Sequence, residues 1–145
     1  MSESQGAFPV YGAAGIIAYT SCYEIDNDSI LVIKDGSGVG RVQYATGKYS
    51  VLGTLNYLTA KPHISLKHIY YCLRIFNFDK FKVGSGIPHI YFKNYGQTYI
   101  HIPNIKRQNE IAEALSAIDE RIRIEKLLLE SQARQKSYLL RQLFI

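Results

Sequence analysis

The apolar positions of this chain change rhythm along its length. Ser29-Ile-Leu-Val-Ile-Lys34 reads as an apolar strand, and Asp35-Gly36 after it is a turn signal. Gly36, Gly38 and Gly40 make a flexible loop, and Arg41 to Thr46 alternates polar and apolar like the returning strand. Gly47 punctuates, Tyr49 to Leu52 is a further short strand, and the extended style continues from Gly53 to Ala60 until Pro62 stops it. Ser65 to Phe76 differs. Ile69, Tyr70, Leu73 and Phe76 or Phe78 fall near a 3.6-residue period, which predicts one amphipathic helix with Ser65 as its N-cap. A loop at Gly84-Ser-Gly-Ile-Pro88 follows, then Ile90-Tyr-Phe92, and a short last strand over Thr98 to Ile102 closed by Pro103.

From Asn104 the pattern is helical throughout. Forty-two residues run to the end without a glycine or proline and are rich in good helix formers, with Asn104 as N-cap. Ile111, Leu115, Ile118 and Ile122 follow a 4-3-4 spacing, the mark of a packing seam. Continuing the heptad gives Glu125, Leu129, Gln132, Lys136, Leu139 and Leu143, while Leu127 and Leu128 crowd nearby. The polar stretch predicts a break or register shift near residues 123–126. Two apolar ends around a polar middle suit an antiparallel partner helix. At about 1.5 Å per residue such a rod reaches about 60 Å, too long for a domain of about 100 residues to cover. Much of the seam must meet another chain or a duplicate; the competing arrangement folds the helix back in two pieces. The expectation is an α+β fold: residues 1–103 form a strand-and-loop domain with one or two short helices, and residues 104–145 a long coiled-coil-type helix.

Composition fits a folded protein, with 47% hydrophobic and 20% charged residues. Twelve tyrosines and six phenylalanines favour strands but also stack on bases. The charge of +5 is unevenly spread. Residues 40–103 carry eight bases against Asp79 alone, whereas residues 1–39 carry Lys34 against five acids. A localised basic excess suits a polyanion-binding surface, since neutralising phosphates releases counterions; a solvated basic face is the alternative. Cys22 and Cys72 sit among apolar residues and read as buried, reduced thiols. No signal peptide and no long apolar run is visible, so an intracellular, soluble protein without a membrane partner is expected.

Catalytic chemistry is not visible. The segment GSGVG at residues 36–40 would need a following helix to cradle a phosphate, but a strand pattern follows, so a hairpin loop is expected. His63, His68, His89 and His101 lack zinc spacing. Glu24, Asp26 and Asp28 resemble a weak metal site and read better as a solvated strand edge. No nuclease or methyl-transfer fingerprint appears, and no cofactor or metal is expected.

The C-terminal stretch IPNIKRQNEIAEALSAIDERIRIEKLLLESQARQKSYLLRQLF resembles the specificity subunits of type I restriction–modification systems. The matching positions are Pro103, Gln108, Ile111, Ala112, Leu115, Ser116, Ile118, Asp119, Ile122, Leu139, Leu140, Gln142, Leu143 and Phe144. Phe8-Pro-Val-Tyr-Gly12 with Gly15-Ile-Ile-Ala-Tyr19 is similar to the family's opening, residues 30–42 to its central hairpin, and Gly84 to Ile90 to a later loop. The chain departs from the family in having no tryptophan and in starting almost at the Tyr-Gly motif, so a half-subunit or C-terminal fragment is expected.

The resemblance implies a non-catalytic, cytoplasmic target-recognition domain that reads one half of a split double-stranded DNA target. It implies antiparallel pairing of the long helix with a second recognition half or a second copy, acting as a ruler. Methyltransferase subunits dock on that scaffold, and a restriction subunit can join. Base and phosphate readers of suitable chemistry beside the glycine loops are Lys34, Ser37, Arg41, Lys82, Ser85, His89 and Lys93, with Tyr44 and Tyr91 packing on the sugar–phosphate backbone. The helix would pair through Ile111, Leu115, Ile118, Ile122, Leu129, Leu139 and Leu143. The other reading is a coiled-coil assembly module whose head binds protein and not DNA.

Overall fold

A computed structural model describes residues 6–144. The fold is α+β. Strand β4 (Ser29–Ile33) is buried at every position and lies between β5 (Val42–Ala45) and β7 (Leu55–Leu58), antiparallel to both. Its side chains alternate between two cores. Ile30 and Val32 face one cluster with Leu73, Phe78, Ile90 and Tyr95. Leu31 and Ile33 face the other, with Ile25, Ala45, Tyr49 and Leu55. A continuous apolar run is what a strand covered on both faces needs.

A second sheet covers the latter core. Its order is β2 (Gly15–Thr20), β1 (Phe8–Gly12), β6 (Lys48–Val51), β3 (Ile25–Asp26). Strand β1 is antiparallel to β2 but parallel to β6, pairing Val10 with Ser50 and Tyr11 with Val51. The other side of β4 is covered by helix α1 (Leu66–Ile75) and a 3-10 turn at Phe78–Phe81. Ser65 caps α1 by accepting from the His68 amide, as its sequence predicts.

Two elements differ from expectation. Thr98–Ile102 joins no sheet. It has no strand beside it; Ile100 packs on the α1 core while Tyr99 is fully exposed. Beyond Ile90 the chain coils into one helical turn, α2 (Phe92–Tyr95), because Tyr95 turns inward against Phe78 and its hydroxyl accepts from Asn56 Nδ2 at 3.1 Å. The cysteines also differ. Cys22 is exposed in the connection after edge strand β2, and Cys72 is only half-buried on α1, enough for burial to raise its thiol pKa.

Helix α3 (Ile105–Leu143) is one unbroken rod, about 58 Å long at 1.5 Å per residue. Asn104 Oδ1 caps it by accepting from the Arg107 amide at 3.0 Å. The break expected near residues 123–126 is absent. Pairs Arg121–Glu125 and Arg123–Glu120 span that stretch along the helix surface and favour continuity. Neither does the rod fold back: every residue from Glu120 to Phe144 is exposed.

Candidate nucleic-acid interface

The β4–β5 loop is built by its glycines. Gly36 and Gly40 adopt left-handed backbone, and at Gly40 a Cβ would lie 2.7 Å from Phe78 Cβ, so no larger residue fits. The Gly40 amide donates to Ile33 O, and Ile33 donates to Arg41 O. The hairpin reading of this segment therefore holds, and a strand follows it where a phosphate loop would need a helix.

A second loop closes at Val83 and His89, whose backbones exchange two hydrogen bonds of 2.9 Å. Gly84 sits inside it in left-handed backbone. The two loops are zipped side by side. The Gly36 amide donates to Pro88 O and the Ile90 amide to Lys34 O, both at 2.9 Å, with Asp35 bridged to His89 between them. Ile90, 1% exposed, anchors the junction in the α1 core. Segments separated by some fifty residues thus form one edge.

That edge carries most of the residues singled out in the sequence. Ser37, Arg41, Lys82 and Ser85 are exposed, and Lys34 and His89 are half-buried. Arg41 arches over its own loop, with Nε 3.5 Å from Gly38 O. Lys82 Nζ is 2.6 Å from the exposed carboxylate of Asp79, so part of its charge is answered locally. Tyr91 stands edge-on to His89 at 5.3 Å, with Lys93 Nζ 5.4 Å from its ring centre. A shallow groove of about 250 Å³ runs between Lys34, Asp35, Asn56, Ile90, Tyr91 and Phe92. Asn56 was missed in the sequence because its strand offers no motif; only its place opposite Val32 brings it here.

Tyr44 is not brought to this edge. It pairs with Ile30 on the helix side of the sheet, edge-on to Tyr70 at 5.5 Å and beneath Lys67 Nζ at 4.0 Å. Burial pushes its hydroxyl pKa up, and nearby Asp28 adds to that. Glu24, Asp26 and Asp28 form an exposed edge, with Asp26 paired to Lys48 and Asp28 accepting from the Gly47 amide. Among the described residues no group of three His, Cys, Asp or Glu side chains could hold a metal ion. No helix there is long and apolar enough to cross a membrane.

The long helix is fixed to the head along one short face. Gln108 is 2% exposed; its Oε1 accepts from the Ser65 amide and its Nε2 donates to Pro103 O. Ala112 packs in the same face. One turn further, Tyr71 Oη donates to Asp119 Oδ2 at 2.9 Å and lies 3.1 Å from Ser116 Oγ. Arg74 Nη1 reaches both Asp119 oxygens. Sequence reasoning missed Tyr71 and Arg74. Their signal was the polar pair Ser116 and Asp119 beside an apolar seam. Of the seam residues, Ile111 is half-buried while Leu115, Ile118, Ile122, Leu129, Leu139 and Leu143 are exposed.

The molecule is thus a β-rich head with a two-loop edge carrying Lys34, Arg41 and Lys82, joined through Gln108 and Asp119 to a rod mostly free of its own domain. The chain belongs to the family of type I restriction modification DNA specificity domains, whose family model matches residues 2–132. It is 23% identical over 117 residues to the specificity subunit of the type I restriction enzyme EcoprrI of Escherichia coli, covering 81% of this chain and 29% of that one. A Mycoplasma pneumoniae protein assigned as a type I specificity subunit is 28% identical over 107 residues, covering 73% of this chain and 31% of its own. The crystal structure of a type I S subunit from M. genitalium superposes with a TM-score of 0.64 at 26% identity, covering 92% of this chain and 38% of that one. The chain thus spans about a third of the length of these relatives.

Proposed function

We propose that this chain is the DNA-reading component of a type I restriction–modification complex, binding one half of a split double-stranded target. Residues 1–103 are the recognition unit and residues 104–145 the spacer. The chain carries no catalysis of its own and works in the cytoplasm, where methyltransferase subunits, and in restricting systems a nuclease subunit, assemble on it. The observation that carries this reading is the zipped pair of glycine loops. They offer Ser37, Arg41, Lys82 and Ser85 on one edge, where glycine lets the backbone approach a duplex closely.

The spacer pairs antiparallel with a second recognition half or a second copy. Charge favours that direction. Residues 126–144 carry four bases and one acid, and residues 104–125 carry five acids and four bases. Antiparallel alignment sets the basic half against the acidic one, whereas a parallel pair would stack basic on basic.

The test is anisotropy of a labelled mixed-sequence duplex pool titrated with the full chain at several salt concentrations. Binding whose logarithm falls linearly with log salt supports the reading. No binding at low salt would leave the protein-binding assembly module as the function.

A further inference from the structure

The chain has five aspartates, and four of them are answered. Asp26 holds Lys48, Asp28 takes the Gly47 amide, Asp79 holds Lys82, and Asp119 takes Arg74 and Tyr71. Asp35 is the exception. Its carboxylate is half-buried and has no ion pair with any of the described residues. An aspartate ahead of a glycine turn ordinarily bonds its own backbone two residues on. Asp35 does not: the loop amides of Gly36, Val39 and Arg41 donate to carbonyls, at Pro88, Gly36 and Gly38.

This free carboxylate stands where the two loops are zipped together. The bonds from Gly36 to Pro88 and from Ile90 to Lys34 flank it. Asp35 and His89 are therefore a non-hydrogen-bonded antiparallel pair, with side chains next to each other on one face. The His89 ring is edge-on to Tyr91, and a Cβ at Gly84 would lie 3.2 Å from its Cε1, so the ring is packed in place without bonding Asp35. Asp35 also lines the groove of about 250 Å³ together with Asn56. Asn56 Nδ2 is committed to the Tyr95 hydroxyl, which leaves its amide oxygen, an acceptor. The groove thus holds two acceptors on an edge whose cations, Lys34, Arg41 and Lys82, are all donors.

We propose that Asp35 determines base specificity at one position of the half-site, its carboxylate accepting a hydrogen bond from an exocyclic amino group, N4 of cytosine or N6 of adenine. The inference rests on the DNA-reading function proposed above. In the free protein water satisfies the carboxylate. When a duplex docks on the edge that water leaves, and an unpaired carboxylate among phosphates is costly. The major groove offers donors only on the amino groups of cytosine and adenine. Guanine O6 and thymine O4 are acceptors, so on the strand it faces the same carboxylate rejects those two bases. The Asn56 oxygen, also an acceptor, favours the same amino-bearing bases.

The test selects duplexes from a random library with the full chain and with Asp35→Ala, whose fold is checked by circular dichroism. The wild type should restrict one position to cytosine or adenine, and which of the two is recovered names the base. Asp35→Ala should lose that preference alone, discrimination there falling by about tenfold or more. Its affinity for the mixed pool should rise, because a negative charge leaves a phosphate-facing edge. A second arm deletes the amino group from the selected duplex, with purine in place of adenine or 2-pyrimidinone in place of cytosine. Wild-type binding should weaken by the same factor, and the variant should not notice the change. Preferences that survive Asp35→Ala, or a loss spread evenly over all sequences, overturn the proposal while DNA reading stands. If the variant does not fold, wild-type binding that is indifferent to the missing amino group overturns it equally. A wild-type chain that binds no duplex at low salt overturns both.

Discussion

Asp119 of the long helix holds Arg74 of α1 with both carboxylate oxygens, at 3.0 and 3.2 Å, and takes the Tyr71 hydroxyl as well. Arg74 and Asp119 are each more than a third exposed, so their pair contributes only about 0.2–1 kcal/mol after solvent screening. The Tyr71 hydrogen bond adds about 0.5–1.5 kcal/mol. Asp119→Ala should therefore lower stability by about 1–2 kcal/mol in urea unfolding. Arg74→Ala in the Asp119→Ala background should cost almost nothing more. A full additive loss would show that the two side chains act separately.

Gly40→Ala should destabilise the head by a few kcal/mol, since it combines left-handed backbone with a contact 2.7 Å from Phe78 Cβ. Gly53→Ala, with open space around it and no strained backbone, should change stability by less than about 0.5 kcal/mol. Thermal unfolding of the two variants side by side reads the difference.

At the loop edge, Arg41→Ala should weaken duplex binding and reduce the salt slope by about one. Lys82 is held by Asp79, so Asp79→Ala should act in the opposite sense, tightening binding as it frees the ammonium. Anisotropy titrations at two salt concentrations check both signs. Unchanged binding by Arg41→Ala and Lys82→Ala together would move the DNA surface elsewhere.

Alkali should unfold the head. Burial raises the hydroxyl pKa values of Tyr11, Tyr44, Tyr49 and Tyr95. A raised folded-state pKa means the folded state keeps protons that the unfolded state releases near pH 10. Stability is then full below about pH 10 and falls as pH climbs through the folded values. The last part of the tyrosinate absorbance should rise in step with loss of circular dichroism; a complete tyrosine titration with the fold intact would contradict these burials.

The hairpin of β4 and β5, helix α1 with its Ser65 cap and helix α3 with its Asn104 cap were all legible, because local signals determine them: a glycine turn, a 3.6 period, a capping side chain. What was not legible depends on distant partners. Thr98–Ile102 has strand composition but no neighbour to pair with. Tyr44 lies near Arg41 in sequence, yet its register opposite Ile30 turns it toward α1. The candidate site was half legible. The loops could be read one at a time, but the backbone bonds joining Gly36 to Pro88 and Lys34 to Ile90 carry no sequence mark. The α3 seam was visible as a pattern, but its attachment through Gln108 and Asp119 to α1 was not.

The small footprint of that attachment makes α3 a lever. From Asp119 to Leu143 the rod runs free for about 36 Å, so a tilt of about 5° at its root carries the far end about 3 Å. That displacement is nearly one base-pair step of a duplex, about 3.4 Å. In the spacer role proposed above, a rod of this length holds its far end in place only if its root is stiff, and the hydrogen bonds at that root come from four side chains: Tyr71, Arg74, Gln108 and Asp119.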